Sequence, residues 1–112
     1  MKAGTEFNSA LFDRARLLLR RWREVIDTVE QGYEMSIYDY ENDLATREEL
    51  NEVLAQVEKA VASSLKRELL QADDHFIAVT RLRRGDESGR VWTRIPLLLV
   101  GELREDVEKY EL

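Results

Sequence analysis

Between Leu11 and Val29, apolar side chains return every three or four residues: Leu11, Ala15, Leu18, Leu19, Trp22, Val25, Ile26 and Val29. At about 100° per residue they fall within about 80° either side of one line on a helical wheel, and Tyr33 extends the row. The pattern predicts a long amphipathic helix over residues 9–31. Asn8 or Ser9 caps it, and Gly32 ends it in the left-handed backbone region that other residues avoid. So broad an apolar stripe needs covering, and the rest of the chain has to supply the cover.

Ser36 and Asp39 stand in a capping relation, after which Ile37, Tyr40 and Leu44 share a face. Thr46 and Glu49 repeat the device ahead of a second stripe, Leu50, Val53, Leu54, Val57 and Val61. On one uninterrupted helix these two stripes would point roughly 120° apart, so a bend or short loop is expected at Ala45–Thr46. Ser63 and Ser64 offer the next cap, followed by Leu65, Leu69, Ala72, Phe76 and Val79. Residues 77–96 admit two readings: a helix running to about residue 80, or a β-hairpin around the RGDESG turn. VWTRI reads as extended in both, and Pro96 argues against a central strand position. Leu103, Val107 and Tyr110 mark a short last helix after Gly101. The expected fold is mainly α, a small helical bundle with a long N-terminal helix and a hairpin or extended segment around 77–96. Residues 9–112 read as a single domain. Residues 1–8 are polar and include a Glu-Phe pair that a common cloning site encodes, so they read as a flexible terminus or a partial vector scar.

Charged residues make up 36% of the chain, against about 25% in an average domain. Such a chain needs clean segregation of polar and apolar faces, which amphipathic helices supply. The absence of cysteine excludes disulfides, thiolate catalysis and cysteine zinc sites. The run Ile95–Val100 falls far short of the roughly 20 residues that span a bilayer, and the N-terminus lacks a signal-peptide core, so a cytoplasmic protein with no membrane contact is expected. The net charge of −6 is uneven: residues 1–23 hold six basic and two acidic groups, whereas residues 24–58 hold eleven acidic groups and one basic. Either the blocks neutralise one another in the fold, or the acidic block faces a basic partner.

The acidic block contains YDYENDLATREEL, Tyr38 to Leu50. Asp39, Glu41 and Asp43 imitate the first three ligands of a calcium loop, but Leu44 stands where its glycine belongs and Leu50 where its bidentate glutamate belongs. The carboxylate pairs Asp39/Asp43 and Asp73/Asp74 read as exposed helix residues. His75 is the one histidine, without a metal-binding pattern around it, and Gly85 and Gly89 frame no phosphate loop. No cofactor or metal is expected, and no motif argues for an enzyme. Arg16, Arg20 and Arg23 lie opposite the first apolar stripe, as a phosphate-binding row would, but Asp13, Glu24 and Asp27 share that side and partly cancel them. In the opening motif, Asp43 and Arg47 are spaced for a helical ion pair, and Asn42 and Asp43 suit a turn between helices. Tyr38 and Tyr40 can bury their rings while keeping their hydroxyls bonded. The motif reads as fixing the angle between helices, or as a recognition surface.

An LLxRW helix around Trp22, the YDYENDLATREEL segment, DDHFIAVT and a late WTRIP resemble a group of small bacterial proteins of uncharacterised function. The resemblance covers about residues 11–110 and singles out Tyr40, Asn42, Asp43, Arg47, Phe76, Trp92, Arg94 and Pro96. It implies a helical single domain and carries no activity. The LLLV run after Pro96 departs from the more basic stretch of that group. The functional expectation is a non-enzymatic protein-interaction domain: an acidic immunity-type or antitoxin-like partner, or a homodimer with an interface at Trp92–Val100. The alternatives are a nucleic-acid-binding accessory protein using the first helix, and a small-ligand domain with a pocket lined by Trp22, Tyr40 and Trp92. The candidate binding residues are Trp22, Tyr38, Tyr40, Asn42, Asp43, Arg47, Trp92 and Arg94.

Overall fold

The computed structural model describes residues 9–57 and 59–112, without the side chains of residues 60 and 61. The reading of residues 1–8 as a terminus or scar, and Val61 as a core residue, lie outside the described part. Four helices dominate: α1 (Ser9–Gln31), α2 (Ile37–Leu54), α3 (Lys59–Ala78) and α4 (Gly101–Lys109). Between α3 and α4 run the short strands β1 (Thr80–Arg81) and β2 (Ile95–Pro96), with a 3-10 turn at Val91–Thr93 before β2.

The first helix has the predicted bounds. It buries Ala15, Leu18, Leu19, Trp22, Ile26 and Val29, and ends at Gly32, whose φ of 120° lies outside the usual range of L side chains. Helix α1 packs on both α2 and α3, so its stripe is the spine of the core.

Helix α2 departs from expectation. It runs without a break through Ala45 and Thr46. The two stripes do diverge, but each has its own partner. Helix α1 lies along one side of α2, while the 3-10 turn and α4 cover another. Its buried residues, Ile37, Tyr40, Leu44, Arg47, Leu50, Val53 and Leu54, therefore spread around much of the helix. A helix covered on several sides need not be amphipathic, and the wheel argument presumed a single core direction. Ser36 is the N-cap as predicted: its Oγ accepts the Asp39 amide hydrogen at 3.2 Å and donates to Asp39 Oδ2 at 2.9 Å.

Ser63 and Ser64 begin nothing. Helix α3 already starts at Lys59, and the Ser63 hydroxyl donates back to the Lys59 carbonyl at 3.0 Å. Downstream, both readings of 77–96 are partly realised. The helix reaches Ala78, and an antiparallel pair then forms with Thr80 opposite Pro96 and Arg81 opposite Ile95. Proline is tolerated because the sheet has only two strands. VWTRI is not extended throughout, since Val91–Thr93 turn and the chain straightens only from Arg94. Helix α4 closes the fold with Leu103 and Val107 in the core. It is anchored where Asp106 accepts the Ile37 amide hydrogen at 2.8 Å and Glu34 accepts that of Glu102 at 2.9 Å.

Candidate functional site

Most of the candidate binding residues turn inward and knit the helices together. Trp22 is fully buried on α1, with its ring 4.8 Å from that of Phe76. Its Nε1–H donates to Asp73 Oδ1 at 3.0 Å. The same carboxylate receives Arg47 from α2, with Nε on Oδ1 at 3.0 Å and Nη2 on Oδ2 at 2.9 Å. Arg47 and Asp73 are only 8% and 6% exposed, so this is a buried bidentate pair holding α1, α2 and α3 at one point. Arg47 Nη1 is buried with no hydrogen-bond acceptor. The guanidinium carbon lies 5.0 Å from the Trp92 ring centroid, and the negative face of that ring offers it electrostatic compensation.

A second chain of bonds ties α2 to the strands. The Tyr40 hydroxyl donates to the Arg94 carbonyl at 2.6 Å, and Arg94 Nε donates to Thr80 Oγ1 at 2.8 Å. Thr80 in turn caps the end of α3 by donating to the Phe76 carbonyl at 2.6 Å. A third contact joins Tyr33 to Asp43, hydroxyl to Oδ2 at 2.5 Å. Burial, and then this bond to Asp43, push the Tyr33 hydroxyl well above its ordinary range. Burial does the same to Tyr40.

Several expected contacts are therefore redirected. Asp43 bonds Tyr33 and Arg47 bonds Asp73, in place of an Asp43–Arg47 helical pair, because Arg47 sits on the covered side of α2. Asn42 and Asp43 lie within α2, not at a turn between helices. Tyr38 does not bury its ring: it is 73% exposed. Its hydroxyl is raised chiefly by pairing with that of Tyr110 at the end of α4. The expected small-ligand pocket is not assembled as drawn. Tyr40 and Trp92 share a cavity of about 190 Å³, but Trp22 does not line it. Asn42 instead borders a shallow groove of about 420 Å³ between α1 and α2, with Arg21, Tyr33 and Asp43.

The charge blocks partly neutralise each other, by routes other than those expected. Arg16 and Arg23 both reach Glu68 on α3, at 3.7 and 3.6 Å, and Arg14 pairs with Glu49 on α2. Two members of the phosphate-binding row, Arg16 and Arg23, are thus engaged by Glu68, while Arg20 has no ion-pair partner among the described residues. Among the described residues, Glu48, Glu52, Glu102 and Glu105 have no ion-pair partner. Tyr38, Glu41, Ala45, Glu48 and Glu52 form one exposed stripe along α2, and α4 lies beside its start. The exposed stripe of α2 is therefore acidic, and α4 adds the unpaired Glu102 and Glu105 together with Arg104, which pairs with Glu108, and Lys109, which lies over the Tyr110 ring. In the segment 92–100, Ile95 and Pro96 are buried and Trp92 is half-buried, while Leu97 and Leu98 face outward.

Residues outside the predicted set complete the site. Asp73, expected as an exposed helix carboxylate, is buried instead. It stands one turn after Leu69, and Arg47 three residues after Leu44, each a charge at a position due an apolar side chain. That phase was the available signal for the buried pair. Thr80 and Tyr110 gave none. Among the described residues no group of three acids, histidines or cysteines is placed to hold a metal, and no helix is long and apolar enough to cross a membrane. Compared with known proteins, the chain matches no family model, no curated protein and no solved structure.

Proposed function

We propose that the chain is a non-enzymatic binding domain that engages a basic protein through the acidic face of α2 and α4, in the manner of an immunity-type or antitoxin-like partner. One observation carries this reading. Arg14, Arg16 and Arg23 of α1 are ion-paired within the fold, whereas Glu48 and Glu52 of α2 and Glu102 and Glu105 of α4 have no described ion-pair partner, and Tyr38 and Tyr110, the latter under Lys109, are exposed near them. Unmatched carboxylates steer a basic partner toward this face and fix its orientation. Tyrosines supply rigid contact area with little entropy to lose, which is why they concentrate at the centres of interfaces. A basic toxin that binds nucleic acid carries a surface of this complementary kind.

Titrating the isotopically labelled chain with a short lysine- and arginine-rich peptide, and separately with random duplex DNA, tests the reading by amide shifts. The expected result is a salt-sensitive response to the peptide at Tyr38, Glu48, Glu102 and Tyr110. A response to DNA at Arg20 and Arg21 with none to the peptide would favour the nucleic-acid alternative instead. A second reading, self-association, rests on the adjacent exposed Leu97 and Leu98. Light scattering that shows a dimer in the parent and a monomer in Leu97→Ser would favour it.

A further inference from the structure

The cavity between α2 and the 3-10 turn combines features of opposite character. Leu44 and Ile95 are its buried apolar part, Tyr40 and Trp92 give it aromatic walls, and Glu41 and Glu48 stand exposed at its edge. Glu41 and Glu48 are two helical turns apart on one face of α2, about 10 Å along its axis. One of the two carboxylates is already answered: Arg83 also lines the cavity and places Nη1 3.3 Å from Glu41 Oε1. Glu48 is not answered by any described residue.

The edge thus has one negative charge to spare, beside an indole and above an apolar floor. A neutral apolar ligand would strip water from Glu48 without replacing its hydrogen bonds, and an anion would meet repulsion. A long side chain ending in a cation satisfies every part of the lining: methylenes against Leu44 and Tyr40, charge against Glu48 and the Trp92 ring. The chain's own Arg83 already supplies one such side chain to this lining. Arg47 lies on Trp92 but outside the cavity, where Asp73 matches its charge. Arg94 donates only to Thr80 oxygens and no described carboxylate answers it, so Glu48 has to hold the incoming cation against this neighbouring charge.

We propose that this cavity is a socket for one lysine or arginine side chain of the basic partner, held by Glu48 and Trp92. The inference rests on the acidic-face reading and names its anchor point.

The test uses two peptides of equal net charge, one carrying arginine and one carrying a basic side chain cut to a single methylene. Both are titrated into the parent chain, Glu48→Gln and Glu102→Gln, with the indole N–H resonances of Trp22 and Trp92 followed. The arginine peptide should shift the Trp92 resonance and leave that of Trp22 in place. Glu48→Gln should weaken it by about five- to tenfold, as the loss of one charge-assisted contact does. Glu102→Gln removes the same charge from the same face outside the cavity and should cost less than about twofold. Equal losses from the two variants, or a silent Trp92, would overturn the socket and leave the acidic face standing. If neither peptide binds, the acidic-face reading falls with it.

Discussion

Arg47 and Asp73 show how much one pair of side chains decides. Each charge lost its water on burial, and the loss is offset only because the other stands at 2.9 Å in bidentate geometry. Removing one partner leaves the other buried and unmatched. Arg47→Ala or Asp73→Ala should therefore lower the unfolding free energy by about 3–5 kcal/mol in urea denaturation. The double variant Arg47→Met/Asp73→Leu leaves no orphan charge. It should lose much less than the sum of the singles, the remainder being the acceptor of Trp22 Nε1, about 1–3 kcal/mol. Additive losses would mean that the pair does not act as a unit. This pair was half legible: both residues sit in apolar phase, but sequence gives no means of matching a charge on one helix to its counterion on another. Tyr40 makes a related point about pH. Its folded state holds the neutral phenol, so its contribution is fully present below the ordinary value of 10.0 and is lost as pH rises beyond it. Tyr40→Phe should flatten the decline in stability above pH 10, while costing about 1 kcal/mol at neutral pH for the bond to the Arg94 carbonyl.

Elements that bury a single stripe were easier to read than those that bury several. Helix α1 follows a single stripe, and its bounds could be written from spacing and Gly32. Helix α2 serves α1 on one side and the 3-10 turn and α4 on another, so its apolar residues read as two stripes with a bend or loop between them. Ala45 discriminates between these descriptions, because it is exposed and lies at the expected break. A loop at Ala45–Thr46 would tolerate proline there. In the continuous helix, Ala45→Pro removes an internal hydrogen bond and clashes with the preceding turn. It should cost about 3 kcal/mol or more, with loss of helical circular dichroism. The start of α4 offers a second element-level test. Gly101 has φ 58°, and a Cβ there would stand 2.6 Å from the Glu34 carbonyl oxygen. Gly85 has φ 77° with nothing within 4 Å. Gly85→Ala should show backbone strain alone, about 1–2 kcal/mol. Gly101→Ala adds a collision with the backbone that α4 docks on, and should unfold the chain at a distinctly lower urea concentration than Gly85→Ala. Equal midpoints would mean that the α4 junction yields freely. The close approach at Gly101 had no sequence signal, and the strands at Thr80 and Ile95 were legible only as one of two readings of residues 77–96, because both depend on which distant backbone arrives there.

At the scale of the whole molecule, stability and the proposed function pull on the same carboxylates. Glu48 and Glu52 are four apart on one face of α2, where like charges repel, and no described basic residue answers either. A face selected only for folding would place lysine or arginine at one of these positions, as α1 and α3 do where Arg16 and Arg23 meet Glu68. If the unmatched charge exists to meet a partner, relieving it should help the free chain and harm the complex. Glu48→Gln should raise the unfolding free energy by about 0.2–0.5 kcal/mol at low ionic strength, the size of one like-charge helical pair. Added salt should shrink that gain, since it screens the repulsion in the parent chain. The same variant should bind the cationic peptide more weakly, and the association rate of the parent should fall steeply with ionic strength. Denaturation at two salt concentrations and stopped-flow association measure the two effects on the same samples. Opposite signs are what a binding surface predicts. A loss of stability in Glu48→Gln would instead mark Glu48 as part of the framework, alongside Asp43 and Asp73, and would move the acidic face from recognition to architecture.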